Sequence, residues 1–405
     1  MARAASVHGG PRHDRRVTAL VDPHALRMLT PSVIGVLVHR GADFAAAEDA
    51  VQEALVQAAS VWGASAGAGD APSDPKGWLV TVAWRKFLDS QRSEKARRDR
   101  ENRVAAEPEP GSVHGVDDTL QLFFLCAHPV LTPAAAVALT LRAVGGLTTR
   151  QIAQAYLLPE KTMAQRISRA KRAVRDVRFD APGDLATVRR VLYLVFNEGY
   201  TGDVDLAAEA IRLTRQLATL SDDAETAGLL ALMVLHHARR AARTGSDGRL
   251  IPLAEQDRSS WDTVSIAEGV RILQAALARD RLGEFQIQAA VAALHADAQR
   301  VEDTDWVQIV EWYDELLAIT DSPVVRLNRA VAVGEADGPA AGLAALAAVD
   351  SAVPRYHAVA AHLHEKAGDL RLAAELFVRA AESASSVAER HHLTLRATRI
   401  RTAGP

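Results

Sequence analysis

The spacing of apolar residues is the feature that most limits how this chain can fold. In the clearest segments, apolar side chains recur every three or four residues, as they do on one face of an α-helix. No segment shows the sustained two-residue alternation of β-branched residues that strands require. Aromatic residues make up only 5% of the chain, and alanine is abundant, which favours helices over strands. We therefore predict an all-α fold.

Composition divides the chain into successive segments. Residues 1–22 have several Arg and Gly residues and no apolar run, so they predict a disordered lead-in and not a signal peptide. Two helical blocks, 23–103 and 119–178, flank the stretch 104–118. That stretch holds two Pro, two Gly and four acidic residues, which predicts a flexible linker. A long helical block, 185–405, follows.

Charge is distributed unevenly between the two halves of the chain. Residues 1–178 contain 24 Lys/Arg and 18 Asp/Glu, whereas residues 179–405 contain 23 and 32. A net charge of +6 suits a half that touches a polyanion, and −9 suits one that does not. The longest apolar stretch, Leu229–Leu235, is far shorter than the about 20 residues that span a membrane. The single cysteine, Cys126, cannot form an internal disulfide, so we expect a cytoplasmic protein.

Residues 146–176 have the pattern of a helix-turn-helix. Thr148 and Gln151 have the spacing of a capping box at the start of a short helix, 149–156. Pro159 helps to break this helix, and a second helix begins near Glu160. The apolar face of the second helix consists of Met163, Ile167, Ala170 and Val174.

The second helix of such a motif can enter the major groove of DNA, while nearby basic residues hold phosphates. Residues 150–178 contain eight Lys/Arg and two acidic residues, which supports this interpretation. The alternative is a solvated basic helix in an ordinary bundle. The candidate DNA-contacting residues are Thr149, Arg150, Lys161, Thr162, Gln165, Arg166, Arg169 and Arg172.

The first block resembles bacterial sigma factors. Residues 47–59, AEDAVQEALVQAA, resemble the helix that docks on the clamp helices of the polymerase β′ subunit. Residues 75–92, PKGWLVTVAWRKFLDSQR, resemble the pattern that follows it in sigma factors of the extracytoplasmic-function (ECF) type. Asp49, Gln52 and Glu53 fall on the core-binding positions, and we expect them on an exposed helix face.

This resemblance implies two promoter contacts and a polymerase contact. The helix-turn-helix would read the −35 element, and the basic stretch 80–103 would contact the −10 element. The loop 69–76 and the following helix would form a pocket for a flipped base. Partners would be core RNA polymerase, through its β′ and β subunits, and double-stranded promoter DNA. The candidate −10 residues are Trp84, Arg85, Lys86, Asp89, Arg92, Arg97 and Arg98, and the family often has asparagine at the position of Arg85.

Longer strings resemble one ECF subgroup, usually counted as group 42. They include FFLCAHPVLTPAAAVALTLRAVGGLTTRQIA, VLYLVFNEGYTG and LAEQDRSSWD. The subgroup has a C-terminal extension that is described as tetratricopeptide-containing. The resemblance implies that this extension takes part in controlling the activity of the sigma factor. Residues 361–382 indeed have the pattern of one such unit, with Gly368 at the turn. A weaker copy upstream places Ala341 at an offset of 32 from Ala373, near the repeat period of about 34.

The C-terminal block also contains polar clusters. Paired acids and arginines can serve general acid–base chemistry, but they also form buried networks or line a groove for a regulatory protein or effector. We favour the second interpretation, and we expect no enzyme, cofactor or metal. The adjacent pairs His236-His237 and His391-His392 point to different faces, which is poor metal-site spacing. The polar clusters are Asn197-Glu198, Glu255–Arg258, Asp305 and Asn328-Arg329.

The leading hypothesis is therefore an alternative sigma factor with a C-terminal helical domain that controls or supports its activity. A second hypothesis is a helix-turn-helix regulator that binds operators without polymerase and carries a tetratricopeptide-like protein-binding domain. A third makes the C-terminal block an enzyme or scaffold with a degenerate DNA-binding module. Binding to core polymerase in the absence of DNA separates the first hypothesis from the second.

Overall fold

The chain forms two compact units, Met1–Asp184 and Leu185–Pro405. The computed structural model describes residues 23–62, 72, 74–98, 118–156, 158–179, 183–198, 205–245, 251–384 and 387–402. Within these ranges the regular structure is helical and no strand forms, which confirms the predicted all-α fold. The predicted lead-in 1–22 and the predicted linker 104–118, except Asp118, lie outside the described residues.

The first unit contains eight α-helices in its described part. They are α1 Pro23–Met28, α2 Thr30–His39, α3 Phe44–Trp62, α4 Pro75–Arg98, α5 Thr119–Cys126, α6 Pro133–Ala143, α7 Thr149–Ala155 and α8 Glu160–Ala173. The helices α2, α3 and α4 pack on one another, and α6, α7 and α8 do the same.

The apolar stripe of α3 forms the core of the first three-helix group. Ala47, Val51 and Ala58 are fully buried, and they pack beside the fully buried Leu79 of α4. The helix α4 begins at Pro75, where the missing backbone N–H of proline does no harm. Helical spacing of apolar residues therefore determines which faces of α3 and α4 point inward.

The helix-turn-helix forms as predicted at α7 and α8. The Thr148 hydroxyl accepts a hydrogen bond from the Gln151 N–H at 3.2 Å, and the Gln151 side chain accepts one from the Thr148 N–H at 2.9 Å. Gly146 precedes this box with a φ of 66°, in the left-handed region that favours glycine. The predicted apolar face of α8 is buried at Met163, Ile167 and Ala170, and Val174 is buried just beyond it.

The second unit is also helical where it is described. Most of its helices pack on their neighbours in sequence, as in helical-repeat proteins. The helices are α9 Leu185–Glu198, α10 Leu206–Ser221, α11 Ala224–Ala238, α12 Thr263–Leu277, α13 Glu284–Asp297, α14 Trp306–Ile319, α15 Pro323–Ala336, α16 Pro339–Leu346, α17 Tyr356–Lys366, α18 Leu370–Ser383 and α19 Val387–Thr402.

The helices α17 and α18, which include most of residues 361–382, pack on each other. Gly368 turns between them with a φ of 82°, a conformation that side chains rarely adopt. Ala361, Ala373 and Phe377 are buried in one apolar cluster. This cluster accounts for the small and large apolar residues at those positions.

Candidate polymerase and promoter interface

The helix α8 presents a polar and basic surface opposite its buried face. Lys161, Thr162, Gln165, Arg169 and Arg172 are exposed, and Arg166 is half-buried. In the neighbouring α7, Arg150 is exposed and Thr149 is half-buried. All eight predicted −35 residues therefore lie on α7 and α8 with at least part of each side chain accessible.

The predicted −10 residues on α4 are less uniformly exposed to solvent than the predicted −35 residues. Arg85 is exposed, but Trp84 is half-buried, with its ring centroid 5.1 Å from that of Phe87 and 5.7 Å from the guanidinium carbon of Arg40. Asp89 and Arg92 are exposed and form an ion pair at 3.5 Å. Exposed pairs of this kind contribute about 0–1 kcal/mol, so DNA phosphates can compete for Arg92.

Two further −10 predictions cannot be compared with the structure in full. The side chains of Arg97 and Arg98, at the end of α4, lie outside the described part of the chain. So do residues 69–71 and 73, which form half of the predicted base-binding loop 69–76. Lys86 is half-buried, and its Nζ lies 3.5 Å from a carboxylate oxygen of Glu53.

The three predicted core-binding residues are not equally exposed, and the expectation of one exposed patch is wrong for Gln52. The side chains of Asp49 and Glu53 are 65% and 64% exposed, but Gln52 is only 7% exposed. Gln52 Nε2 donates a hydrogen bond to the main-chain oxygen of Arg142 at 3.3 Å. The end of α6 therefore covers part of the face that α3 was expected to present.

Beside Gln52, a buried ionic cluster joins α3 to α6 and α8. Glu48 is fully buried, and its carboxylate lies 2.8 Å from Arg142 Nε and in direct contact with Lys171 Nζ. Lys171 Nζ also contacts Asp49 Oδ1 at 2.6 Å. The Glu48–Arg142 and Glu48–Lys171 contacts are not aligned as hydrogen bonds, so their attraction is mainly Coulombic.

The negative charge of Glu48 also affects the pKa of Cys126 in α5. Burial, and then the negative charge of Glu48, raise the pKa of the Cys126 thiol well above its ordinary value. Cys126 is fully buried and is therefore held as a neutral thiol at neutral pH. The thiol is an inert part of the core.

The connection between Glu48, Arg142 and Lys171 was not predicted from the sequence. A signal for two of them was present, because Glu48 follows Phe44 and precedes Val51 at helical spacing, on the buried side of α3. Lys171 similarly occupies the buried side of α8, next to Ala170. Opposite charges on the buried sides of two helices indicate a buried ion pair, although not which helices meet.

The polar clusters of the second unit mostly have structural roles. Asp305 caps α14 by accepting a hydrogen bond from the Gln308 N–H at 2.9 Å. Arg258 donates to the main-chain oxygens of His295 and Ala298, the latter at 2.8 Å. Arg329 forms an ion pair with Asp314. These contacts support the interpretation of a packing network over one of acid–base chemistry.

Asn197 and Asn328 instead lie at a cavity of about 440 Å³ within the second unit. Its wall also includes His236, His295 and Tyr313, and its volume falls in the range of small-ligand pockets. Burial, and then nearby arginines, lower the pKa of His236 to about 3 and that of His295 to about 4. Burial raises the pKa of Tyr313 to about 12, so these three rings are neutral at pH 7.

Among the residues that the structure describes, no three His, Cys, Asp or Glu side chains are grouped to hold a metal ion. Over the same residues, no helix combines the length and the apolar character that crossing a bilayer requires.

Comparison with protein families identifies the modules. Residues 26–97 match Sigma-70 region 2, and residues 124–174 match Sigma-70, region 4. Residues 184–277 match a family of unknown function, DUF6596. The first unit therefore contains the two domains that are typical of sigma factors, which are transcription initiation factors. Sigma factor domains imply binding to core RNA polymerase and promoter DNA.

The chain is also similar to individual proteins from two bacteria. The chain is 39% identical over 348 residues to "Uncharacterized protein R00370" of Rhizobium meliloti, covering 79% of this chain and 81% of that protein. It is 30% identical over 178 residues to "Probable ECF RNA polymerase sigma factor SigI" of Mycobacterium tuberculosis, covering 42% of this chain and 59% of that protein. No solved structure matches. The chain belongs to the same family as the Rhizobium protein. Its similarity to the Mycobacterium protein supports an ECF-type sigma factor.

Proposed function

We propose that this protein is an alternative sigma factor that binds core RNA polymerase through α3 and directs it to promoters through α4 and α8. The observation that carries this proposal is the basic outer face of α8, which stands on a capped helix-turn-helix behind a sigma region 2. A helix presented in this way can enter the major groove while its basic side chains contact phosphates.

The −35 contact is proposed for the exposed N-terminal part of α8 and for the start of α7. Base-edge contacts would come from the N-terminal half of α8, where Lys161, Thr162, Gln165 and Arg166 lie. Thr149, Arg150, Arg169 and Arg172 would hold the flanking backbone. Phosphate contacts of this kind orient the protein without reading sequence.

The core and −10 contacts are proposed for the first three-helix group. Asp49, Gln52 and Glu53 of α3 would bind the polymerase β′ subunit, as in the sigma factors that the sequence resembles. Exposed Arg85 and Arg92 of α4 would track the −10 DNA. Trp84, Lys86, Asp89, Arg97 and Arg98 complete the proposed −10 surface.

The test is promoter-dependent transcription with purified core polymerase on the upstream region of this protein's own gene. We expect specific transcripts only when the protein is added, and we expect it to comigrate with core polymerase in the absence of DNA. Operator binding without comigration would replace this proposal with that of a conventional helix-turn-helix regulator. Absence of both would remove the promoter-binding role.

We further propose that the second unit is a non-catalytic control module, a tetratricopeptide-like extension of the group 42 kind. Two observations support this proposal. Each helix packs on the next one in sequence, and the cavity at Asn197 and Asn328 offers a partly apolar site for an effector or a segment of a regulatory protein. If residues 185–405 had catalytic or scaffolding activity of their own, the second unit would instead be the main functional part.

A further inference from the structure

The cavity of the second unit has two ends that differ in charge. Its wall includes residues of α11 and α13, whose starts meet where the Glu225 carboxylate accepts a hydrogen bond from the Phe285 N–H at 2.6 Å. Glu284 lines the cavity at the start of α13, whereas His295, near the end of α13, lines it together with Arg239. Glu284 and His295 are eleven residues apart, which corresponds to about 16 Å at about 1.5 Å per residue. The cavity is thus long enough for one small organic molecule.

The end of the cavity at Arg239 has a positive electrostatic potential. Burial is the largest cause of the lowered pKa values of His236 and His295, and nearby arginines add to it. Arg239 acts on both rings, and Arg243 and Arg258 each act on one. Among the described residues, no acidic side chain contributes to either pKa shift. An anionic group bound at this end would therefore be stabilised by the surrounding charge.

The string LAEQDRSSWD, which the polymerase and promoter contacts do not explain, positions this end of the cavity. Trp261 is buried, and the guanidinium carbons of Arg239 and Arg258 lie 5.7 and 4.7 Å from its ring centroid. Arg258 also donates to two main-chain oxygens at the C-terminal end of α13, and Glu302 and Asp303 offset part of its charge. Arg239 is the arginine that lines the cavity. Its contact with the indole holds the guanidinium in place, which lowers the entropy lost on binding a ligand.

Between the two ends, the wall of the cavity is mainly apolar. The side chains of Phe196, Leu232, Val291 and Leu316 line it and are buried. Val324 also lines it, although it is 50% exposed. An apolar ligand body placed against this wall would remove both its own surface and that of Val324 from water, which is favourable. The middle of the cavity therefore suits an aromatic or aliphatic group.

Neutral polar groups complete the wall. Tyr313, Asn197 and Asn328 line the cavity, and within the described part of the chain their side chains make no hydrogen bond. Burial raises the pKa of Tyr313 to about 12, so its hydroxyl remains a donor at neutral pH. At the acidic end, Glu284 accepts a hydrogen bond from Gln288 Nε2 at 3.1 Å. The negative charge of Glu284 opposes a second anionic group in the ligand.

We propose that this cavity binds a small organic monoacid, with the anionic group beside Arg239 and an aromatic or aliphatic body along the apolar wall. The proposal names the ligand class for the control role proposed above, and its effect on transcription rests on that role. Ligands with several negative charges are disfavoured by Glu284. The volume of about 440 Å³ is in the lower part of the range of small-ligand pockets, which favours a small molecule over a peptide segment.

Two fluorescent probes test the ligand class with the full-length protein. Anilinonaphthalene sulfonate is an aromatic monoanion, and phenylnaphthylamine has the same aromatic body without the charge. We expect the sulfonate to bind at one saturable site per chain. Phenylbutyrate should displace it at a concentration at least about tenfold lower than phenylbutyramide does, because the amide lacks the charge that Arg239 recognises. Equal displacement by the two compounds, or the lack of a saturable site, would overturn the proposal.

Substitutions then locate the site. Arg239→Gln should weaken binding of the sulfonate at least about tenfold and change that of the neutral amine less than about twofold. Arg271→Gln makes the same charge change at an exposed position of α12 and should alter neither. Ala292→Phe fills the apolar part of the cavity and should weaken both probes, whereas Ala275→Phe, exposed on α12, should weaken neither.

Circular dichroism establishes that each variant is folded. If Arg239→Gln does not fold, the comparison of phenylbutyrate with phenylbutyramide on the wild-type protein carries the test. Equal loss of both probes in folded Arg239→Gln would contradict an anion site. Displacement of the sulfonate by a blocked pentapeptide with one central aspartate, but not by phenylbutyrate, would replace the small acid with a peptide segment and refute the proposal.

The measurements separate this inference from the proposed function. Probe binding is measured without polymerase or DNA, so its failure leaves the sigma function untouched. Failure of the full-length protein to direct transcription would refute the sigma function, and probe binding would still decide whether the cavity accepts an organic monoacid.

Discussion

At the scale of single residues, the two units treat buried ionisable groups in different ways. The carboxylate of Glu48 is buried against two cations, Arg142 and Lys171, because an isolated buried carboxylate would be strongly destabilising. His236 and His295 have no such carboxylate beside them as a cause of their pKa shifts, and burial and neighbouring arginines hold them neutral. The first arrangement connects two regions of the chain, and the second makes stability depend on pH.

The lowered histidine pKa values predict loss of stability in mild acid. The unfolded chain binds protons near pH 6.5, whereas folded His236 and His295 do so only near pH 3 and 4. Their contribution is therefore complete above pH 6.5 and is lost as pH falls toward 4. Urea denaturation of the full chain should show a shallower pH slope for His236→Gln than for wild type. The exposed control His391→Gln should keep the wild-type slope, and equal slopes for all three proteins would contradict the prediction.

Arg166 is the residue at which sequence-specific and phosphate contacts can be separated. It is half-buried near the middle of α8, and arginine is the side chain that most commonly makes a bidentate contact to guanine. If that contact forms, Arg166→Ala should cost about 1–3 kcal/mol in binding to the cognate −35 element and less on a substituted one. An equal loss on all sequences, with a shallower salt dependence, would indicate a phosphate contact. Fluorescence anisotropy with the two duplexes measures both outcomes.

At the scale of elements, side-chain caps determine where many of the helices begin. Thr148 caps α7, Thr132 caps α6, and aspartates cap several helices of the second unit. Each cap satisfies a backbone N–H that the first turn of a helix leaves without a partner. Part of the acidic surplus of the second unit is explained in this way. The capping aspartates are Asp205, Asp223, Asp262, Asp305 and Asp369.

The capping box of α7 can be tested by substitution. Thr148→Ala removes the acceptor for the Gln151 N–H and should lower the stability of region 4 by about 1 kcal/mol. Ser168→Ala removes an exposed hydroxyl from α8 and should change stability by less than about 0.5 kcal/mol. Chemical denaturation measures both variants. A change at Thr148 no larger than that at Ser168 would show that the box adds little to α7.

At the scale of the whole molecule, a basic sigma half is joined to an acidic helical extension that makes up over half of the chain. Residues 1–178 have a net charge of +6, and residues 179–405 have a net charge of −9. Because DNA phosphates are also negative, we expect that the acidic extension does not add to the DNA contact. Eleven residues, 174–184, separate α8 of region 4 from α9. The extension is thus a candidate for control of the sigma half and not for promoter recognition.

Truncation after Asp180 tests that role. We expect promoter-directed transcription to be lost while binding to core polymerase is retained, which would show that the sigma half needs the extension. A gain in transcription would show that the extension inhibits. Unchanged transcription would show that it is merely appended and would refute its role in control. Comigration with core polymerase measures the retained binding, and the full-length protein is the reference.

Local sequence determined the helices, their caps and the outer face of α8, because helical periodicity and capping depend on residues three or four apart. The capping box at Thr148 and the buried stripe of α8 could therefore be predicted. The burial of Gln52 and the pairing of Glu48 with Arg142 and Lys171 join residues that are 90 or more positions apart, and one sequence does not specify which helix faces meet. The cavity that brings Asn197 and Asn328 together arises in the same way. Tertiary packing alone decided these features, since the contacts depend on the relative placement of whole helices.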